Sequence, residues 1–135
     1  MEDIFVGRLM SSGVVSVTPE TPVEEAAEIL LEKNIGSVVI VDENNQPAGI
    51  LTSTDFVRIV SEGDPEEVTV VRDHMTDGVV TVDVNDPIQE AANKIVTYDI
   101  HHLPVVDDEE GVIGMLSTTD LTAYLSDLRE PTPEP

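Results

Sequence analysis

The chain has 135 residues, 40% of them hydrophobic, with 28 Asp plus Glu against 6 Lys plus Arg and a formal charge of −22. Such a charge repels phosphate backbones and anionic membrane surfaces, so it argues against nucleic acid and membrane as partners. The absence of Cys excludes disulfides, a thiolate metal site and a Cys nucleophile.

The longest apolar runs are strand length, and Met1-Glu-Asp-Ile-Phe5 lacks the basic start of a signal peptide, which predicts a cytoplasmic protein. Val14–Val17 reads as a short strand. Thr21-Pro-Val-Glu24 reads as a helix start, with Thr as N-cap, Pro at N1 and Glu closing a capping box. Val23, Ala26, Ala27, Leu30 and Leu31 then form an apolar helical stripe. A buried strand over Ser37–Val41, a polar turn over Asp42–Pro47, a strand over Ala48–Thr52 and a closing helix from about Thr54 follow. After residues 63–70, read as a linker, the order recurs. Asp86-Pro-Ile-Gln89 repeats the helix entry, and Ile88, Ala91, Ala92, Ile95 and Val96 repeat the stripe. Strands are predicted over His102–Val106 and Val112–Ser117, with a helix from about Thr119. Residues 129–135 form a Pro-rich tail, expected to be disordered.

The recurrence is a tandem duplication. Shifted by 65, residues 8–58 match 73–123 at 16 of 51 positions without a gap, where chance gives roughly 3 or 4. Each unit is β-α-β-β-α, an α/β (α+β) fold, with repeat one over 1–62 and repeat two over 71–128. One unit of about 60 residues is marginal alone, so the two are expected to pack around a pseudo-twofold axis. The acid is shared evenly: residues 1–67 and 68–135 each hold 14 acids and 3 bases. An even acidic coat with two lysines, Lys33 and Lys94, suits concentrated salt, where the Debye length falls to about 3 Å. It predicts a halophilic archaeal protein.

The repeated pattern resembles a tandem pair of cystathionine-β-synthase (CBS) domains, a Bateman module. The resemblance rests on Val71-Arg-Asp-His-Met-Thr76 with the weaker Val6-Gly-Arg-Leu-Met-Ser11, on Val23-Glu-Glu-Ala-Ala27, and on Asn34 to Asp42 with Ile100 to Asp107. Its strongest elements are Gly49-Ile-Leu-Thr-Ser-Thr-Asp55 and Gly114-Met-Leu-Ser-Thr-Thr-Asp120. Each is weak alone; in this order, twice, they are specific. The resemblance implies regulatory binding of AMP, ADP, ATP or S-adenosylmethionine in clefts between the repeats, with Mg accompanying a polyphosphate, and no catalysis. It also implies a homodimer built on helix faces, here Phe56, Val57, Ile59 and Val60, and Leu121, Tyr124 and Leu125. Any output would act in trans on a partner enzyme or transporter. The alternative is a structural interaction module with empty clefts.

Thr52–Asp55 and Ser117–Asp120 also fit Ser/Thr-x-x-Asp/Glu, and a helix-capping box explains them without a ligand. By the resemblance, Asp55 and Asp120 would hold ribose hydroxyls, with Thr52 and Ser117 near ribose or phosphate. Free N–H groups at a helix start suit phosphate oxygens. The base would lie against Val15, Ser16, Ser37 and Val38 in one repeat, and Val80, Thr81, His102 and Pro104 in the other. Half of these valines are core by strand alternation. His101 and His102 point to opposite faces of a strand and chelate one ion poorly, so no metal site is expected. His102 would instead line the cleft, where its charge near neutral pH tunes phosphate binding. His74 is expected to pack within the short opening helix. The sequence departs from the family in Thr54 and Thr119, where many members carry Arg, and in Val39, where repeat two has Pro104. No recognisable nucleophile, base and orienting acid supports an enzyme.

Overall fold

The computed structural model describes residues 4–62, 69–76 and 78–129. The linker, apart from Thr69 and Val70, and the tail beyond Arg129 lie outside them. In chain order the helices and strands are α1 (Val6–Leu9), β1 (Ser16–Val17), α2 (Val23–Lys33), β2 (Ser37–Val41), β3 (Pro47–Thr52), α3 (Ser53–Glu62), β4 (Val82–Asp83), α4 (Ile88–Tyr98), β5 (His102–Asp107), β6 (Gly111–Ser117) and α5 (Thr118–Arg129). A 3-10 turn, Val71–Asp73, lies between α3 and β4. The elements fall into two compact units, one of residues 15–79 and one of residues 1–14 with 80–135.

The unit of residues 15–79 has a three-stranded sheet in the order β1-β2-β3, β1 parallel and β3 antiparallel to β2. Every residue of β2 is buried, as the unbroken run Ser-Val-Val-Ile-Val requires of a strand covered on both faces. Val38 and Ile40 join Val17, Ala26, Leu30, Leu51 and Val71 in its core. The other unit repeats this with β4-β5-β6, and its core is Val6, Val82, Ala91, Leu103, Val105 and Leu116. The first strand of each unit is shorter than Val14–Val17 suggests, because only Ser16 and Val17 pair with β2.

Each opening segment completes the unit that holds the other repeat's sheet. Val6 N–H donates to Asp86 O at 2.8 Å, Gly7 N–H to Val84 O at 3.0 Å, and Ser11 pairs with Met115. The equivalent bonds run from Val71 to Thr21, at 2.8 Å, from Arg72 to Pro19, at 3.1 Å, and from Thr76 to Ile50, at 3.2 Å. Arg72 also forms an ion pair with Glu20. This explains two motif glycines. A side chain at Gly49 would run into Met75, and one at Gly114 into Met10 and the Ser11 carbonyl. His74 ends the 3-10 turn and bonds Thr69 Oγ1 through Nε2 at 3.2 Å.

Two expectations about the helices need correction. The capping boxes at Thr21–Glu24 and Asp86–Gln89 do not form. Thr21 Oγ1 accepts from Thr18 N–H at 3.1 Å, and Asp86 Oδ2 from Asp83 N–H at 3.0 Å, so both side chains close the preceding turn. The helix-start N–H groups go instead to the opening segments: Val23 donates to Thr69 O at 3.0 Å, and Ile88 to Ile4 O at 2.9 Å. The stripes are also narrower than predicted. Leu31 is 82% and Val96 80% exposed, because each lies 100° round the helix from Leu30 and Ile95, which face the core. Both helices end on a left-handed residue, Asn34 and Asp99, each at φ 54°.

Candidate functional site

The strand-to-helix turns after β3 and β6 are reciprocal capping boxes. Thr52 N–H and Oγ1–H donate to Asp55 Oδ2 at 2.8 and 3.1 Å, and Asp55 N–H returns to Thr52 Oγ1 at 3.4 Å. In the second unit Ser117 N–H donates to Asp120 Oδ2 at 2.8 Å, and Asp120 N–H to Ser117 Oγ at 3.2 Å. Each turn is tied to the residue before the second strand: Ser53 N–H bonds Gly36 O, and Thr118 N–H bonds His101 O, both at 3.0 Å. The antiparallel register sets Ser37 opposite Thr52 and His102 opposite Ser117. Ser37, Thr52 and Asp55 are thus brought together in one unit, and His102, Ser117 and Asp120 in the other.

The remaining predicted residues sit differently. Ser16 is exposed on β1 and Val15 packs half-buried on the core. Val80 does the same beside β4, and Thr81 is half-buried with its carbonyl accepting from Lys94 Nζ at 2.8 Å. Val38 is a wholly buried core residue, and Pro104 is also fully buried. Neither offers an exposed side chain, so a contact at these positions falls to the backbone.

The outward atoms of the two turns differ. Asp55 Oδ1 accepts from Arg58 Nη1 at 2.9 Å, and the Arg58 side chain is 57% exposed. Repeat two has Ala123 at that place, and Asp120 Oδ1 has no partner among the described residues. His102 departs from its expected titration. Burial, and then the neighbouring His101, push its pKa below the usual value, with Asp120 opposing. Burial thus favours the neutral ring over the imidazolium. His101 is exposed, with Nδ1 3.2 Å from Thr118 Oγ1. Among the described residues no three His, Asp or Glu are grouped to hold a metal ion, and no helix is long and apolar enough to cross a membrane.

Sequence reasoning names Arg58 only as one of the cations that could reach a phosphate, and it does not place Arg58 on Asp55 or Lys94 on the Thr81 carbonyl. The signal for Arg58 is its i,i+3 spacing from Asp55 on one helix. For Lys94 it is a cation standing where repeat one has the apolar Ile29.

The CBS domain family model matches residues 6–62 and again 71–127. The CBS domain pair of protein MJ0100, in complex with 5′-methylthioadenosine and S-adenosyl-L-methionine, superposes with a TM-score of 0.86 at 27% identity, over 95% of this chain and 100% of that one. The CBS domain protein PAE2072 from Pyrobaculum aerophilum, complexed with AMP, gives a TM-score of 0.81 at 25% identity, over 93% and 98%. Among curated relatives, protein MK0525 of Methanopyrus kandleri is 35% identical over 122 residues, 90% of this chain and 62% of that one. A homoserine O-acetyltransferase of Methanococcus vannielii is 30% identical over 90% of this chain, which spans 25% of the relative's length. With the family model matched twice across both units, the chain belongs to the CBS domain family and carries two CBS domains in tandem.

Proposed function

We propose that this chain is a regulatory ligand-sensing module that binds an adenine nucleotide or related adenosyl compound at the Thr52–Asp55 and Ser117–Asp120 turns. The observation that carries the reading is the likeness, over nearly the whole chain, to CBS pairs in complex with AMP or with S-adenosyl-L-methionine and 5′-methylthioadenosine. The chemistry of the turns supports it. A carboxylate accepts from two vicinal ribose hydroxyls, and Asp120 Oδ1 has a free lone pair for this. Magnesium would enter only with a polyphosphate. The module does no chemistry of its own and acts on a partner. Relatives in which the matching segment is a quarter of an enzyme-length chain support an enzyme as that partner. The exposed Val57, Val60 and Leu125 support a homodimer, which light scattering would report as twice the chain mass. We also propose that the even acidic coat is an adaptation to concentrated salt.

One observation favours a second reading, an interaction module with unoccupied turns. Both Asp side chains already close capping boxes, so the fold accounts for them without a ligand. A thermal-shift panel in molar KCl separates the two. A ligand at a hundred times its Kd stabilises by about 2.7 kcal/mol, so AMP, ATP, S-adenosylmethionine or methylthioadenosine should raise the melting temperature by several degrees. Silence from all of them would leave the interaction module.

A further inference from the structure

The two turns place positive charge differently, and on the sensor reading that difference decides which ligand each accepts. Both Asp55 oxygens already accept from the protein, Oδ2 from Thr52 and Oδ1 from Arg58. A ribose arriving at Asp55 must therefore share Oδ1 with a guanidinium or displace it. A ribose arriving at Asp120 meets an oxygen that no described residue occupies. Of the other cations, Lys94 is tied to the Thr81 carbonyl beside the first strand, and Arg72 is paired with Glu20.

Building on the sensor reading, we propose that Arg58 makes the Asp55 turn selective for phosphorylated adenosyl ligands, while the Asp120 turn takes uncharged or cationic ones. An exposed i,i+3 ion pair is held weakly, whereas a guanidinium forms strong, often bidentate, bonds to phosphate. A phosphate therefore draws Arg58 away from Asp55, and the same movement releases Oδ1 for a ribose hydroxyl. A nucleoside without phosphate gains neither contact. At Asp120 no such exchange exists. In a chain of charge −22, each added phosphate there meets repulsion, while a sulfonium meets attraction.

Calorimetric titration with AMP and adenosine tests this. Asp120→Ala leaves the Asp55 turn to be read alone; Asp120→Asn, which keeps an acceptor for the helix start, replaces it if the Ala variant does not fold. In that background AMP should bind about tenfold more tightly than adenosine, the gain of one charged hydrogen bond. Adding Arg58→Ala should bring the ratio near one. The reverse graft, Ala123→Arg with Asp55→Ala, should create an AMP preference at the second turn. Binding of both compounds with a ratio that ignores Arg58 overturns the inference and leaves the sensor reading intact. So does an Asp120 variant that binds neither compound while the parent binds. A parent protein that binds no adenosyl compound overturns the sensor reading itself, and the inference with it.

Discussion

The Thr52–Asp55 turn and the Ser117–Asp120 turn share one skeleton and differ in almost everything attached to it. In both, the N–H of the strand's last residue reaches Asp Oδ2 at 2.8 Å, and the first helical N–H reaches back 3.0 Å to the carbonyl before the second strand. Across the repeat, Arg58 corresponds in sequence to Ala123 and Gly36-Ser37 to His101-His102, and further off Lys94 stands where repeat one has Ile29. Folding constrains the atoms that close the helix start, because an open N-terminus costs about 1 kcal/mol. It places little demand on the atoms pointing outward. A duplicated sequence can therefore keep one fold and acquire two inequivalent turns.

The largest expected effect concerns what the halves still share. Each carries 14 acids and 3 bases, so like-charge repulsion loads both units alike. Passing from dilute buffer to 2 M KCl should raise the melting temperature by about 10 °C or more, since each kcal/mol recovered is worth roughly 3–5 °C at this size. The two units should respond together in one calorimetric transition. A melting temperature indifferent to salt would remove the halophilic reading.

A smaller effect should divide the units. Neither Gly49 nor Gly114 has a left-handed backbone, so space alone decides what a methyl group costs. At Gly49 the obstacle is the Met75 side chain alone, whose Sδ and Cγ can turn aside, while its Cβ, 3.0 Å away, must give by a few tenths of an ångström. At Gly114 the Ser11 carbonyl also stands 2.9 Å from a Cβ, and that oxygen is fixed by the Met115 N–H at 3.0 Å. Gly114→Ala should therefore destabilise by about 2–3 kcal/mol and Gly49→Ala by about 1 kcal/mol, as overpacking of a fixed and a movable neighbour predicts. Urea midpoints report both. Equal losses would mean that the opening segment yields as easily as a methionine.

That opening segment is also where the sequence is hardest to read. The buried strands are legible from unbroken valine and isoleucine runs, and the capping boxes at Thr52 and Ser117 from their spacing. The partner of each opening segment is not, because a 65-residue repeat makes Met10 and Met75 equally suited to either glycine. Thr21 and Asp86 carry a helix-cap signature but close the preceding turn, since extended backbone from the opening segments already serves the helix starts. Leu31 and Val96 look like core because hydrophobicity does not say which of two adjacent residues faces inward. Arg58 stands at helical spacing from Asp55, but among 28 acids charge pattern alone does not choose its partner.

The smallest effect isolates His102, for which repeat one has Ser37. Its pKa is lowered by burial first and by His101 second, with Asp120 pulling the other way. An unfolded histidine titrates at about 6.5, so below that pH the unfolded chain binds a proton that the folded chain resists. Folding stability therefore falls as pH drops through 6.5 toward the folded value, and His102 costs nothing well above it. The acidic coat acts in the opposite sense, because protonated carboxylates repel one another less, and it masks the trend in the parent protein alone. The His102→Ser variant carries the same coat and puts a serine there, as in repeat one. Its stability relative to the parent should rise between pH 7.5 and 5.5, measured as the difference in urea midpoints at fixed salt. In Asp120→Ala the carboxylate that supports the imidazolium is gone, so the His102 NMR titration should move lower still. A difference between parent and His102→Ser that stays constant with pH would place His102 in solvent, and the two turns would then differ only in their cations.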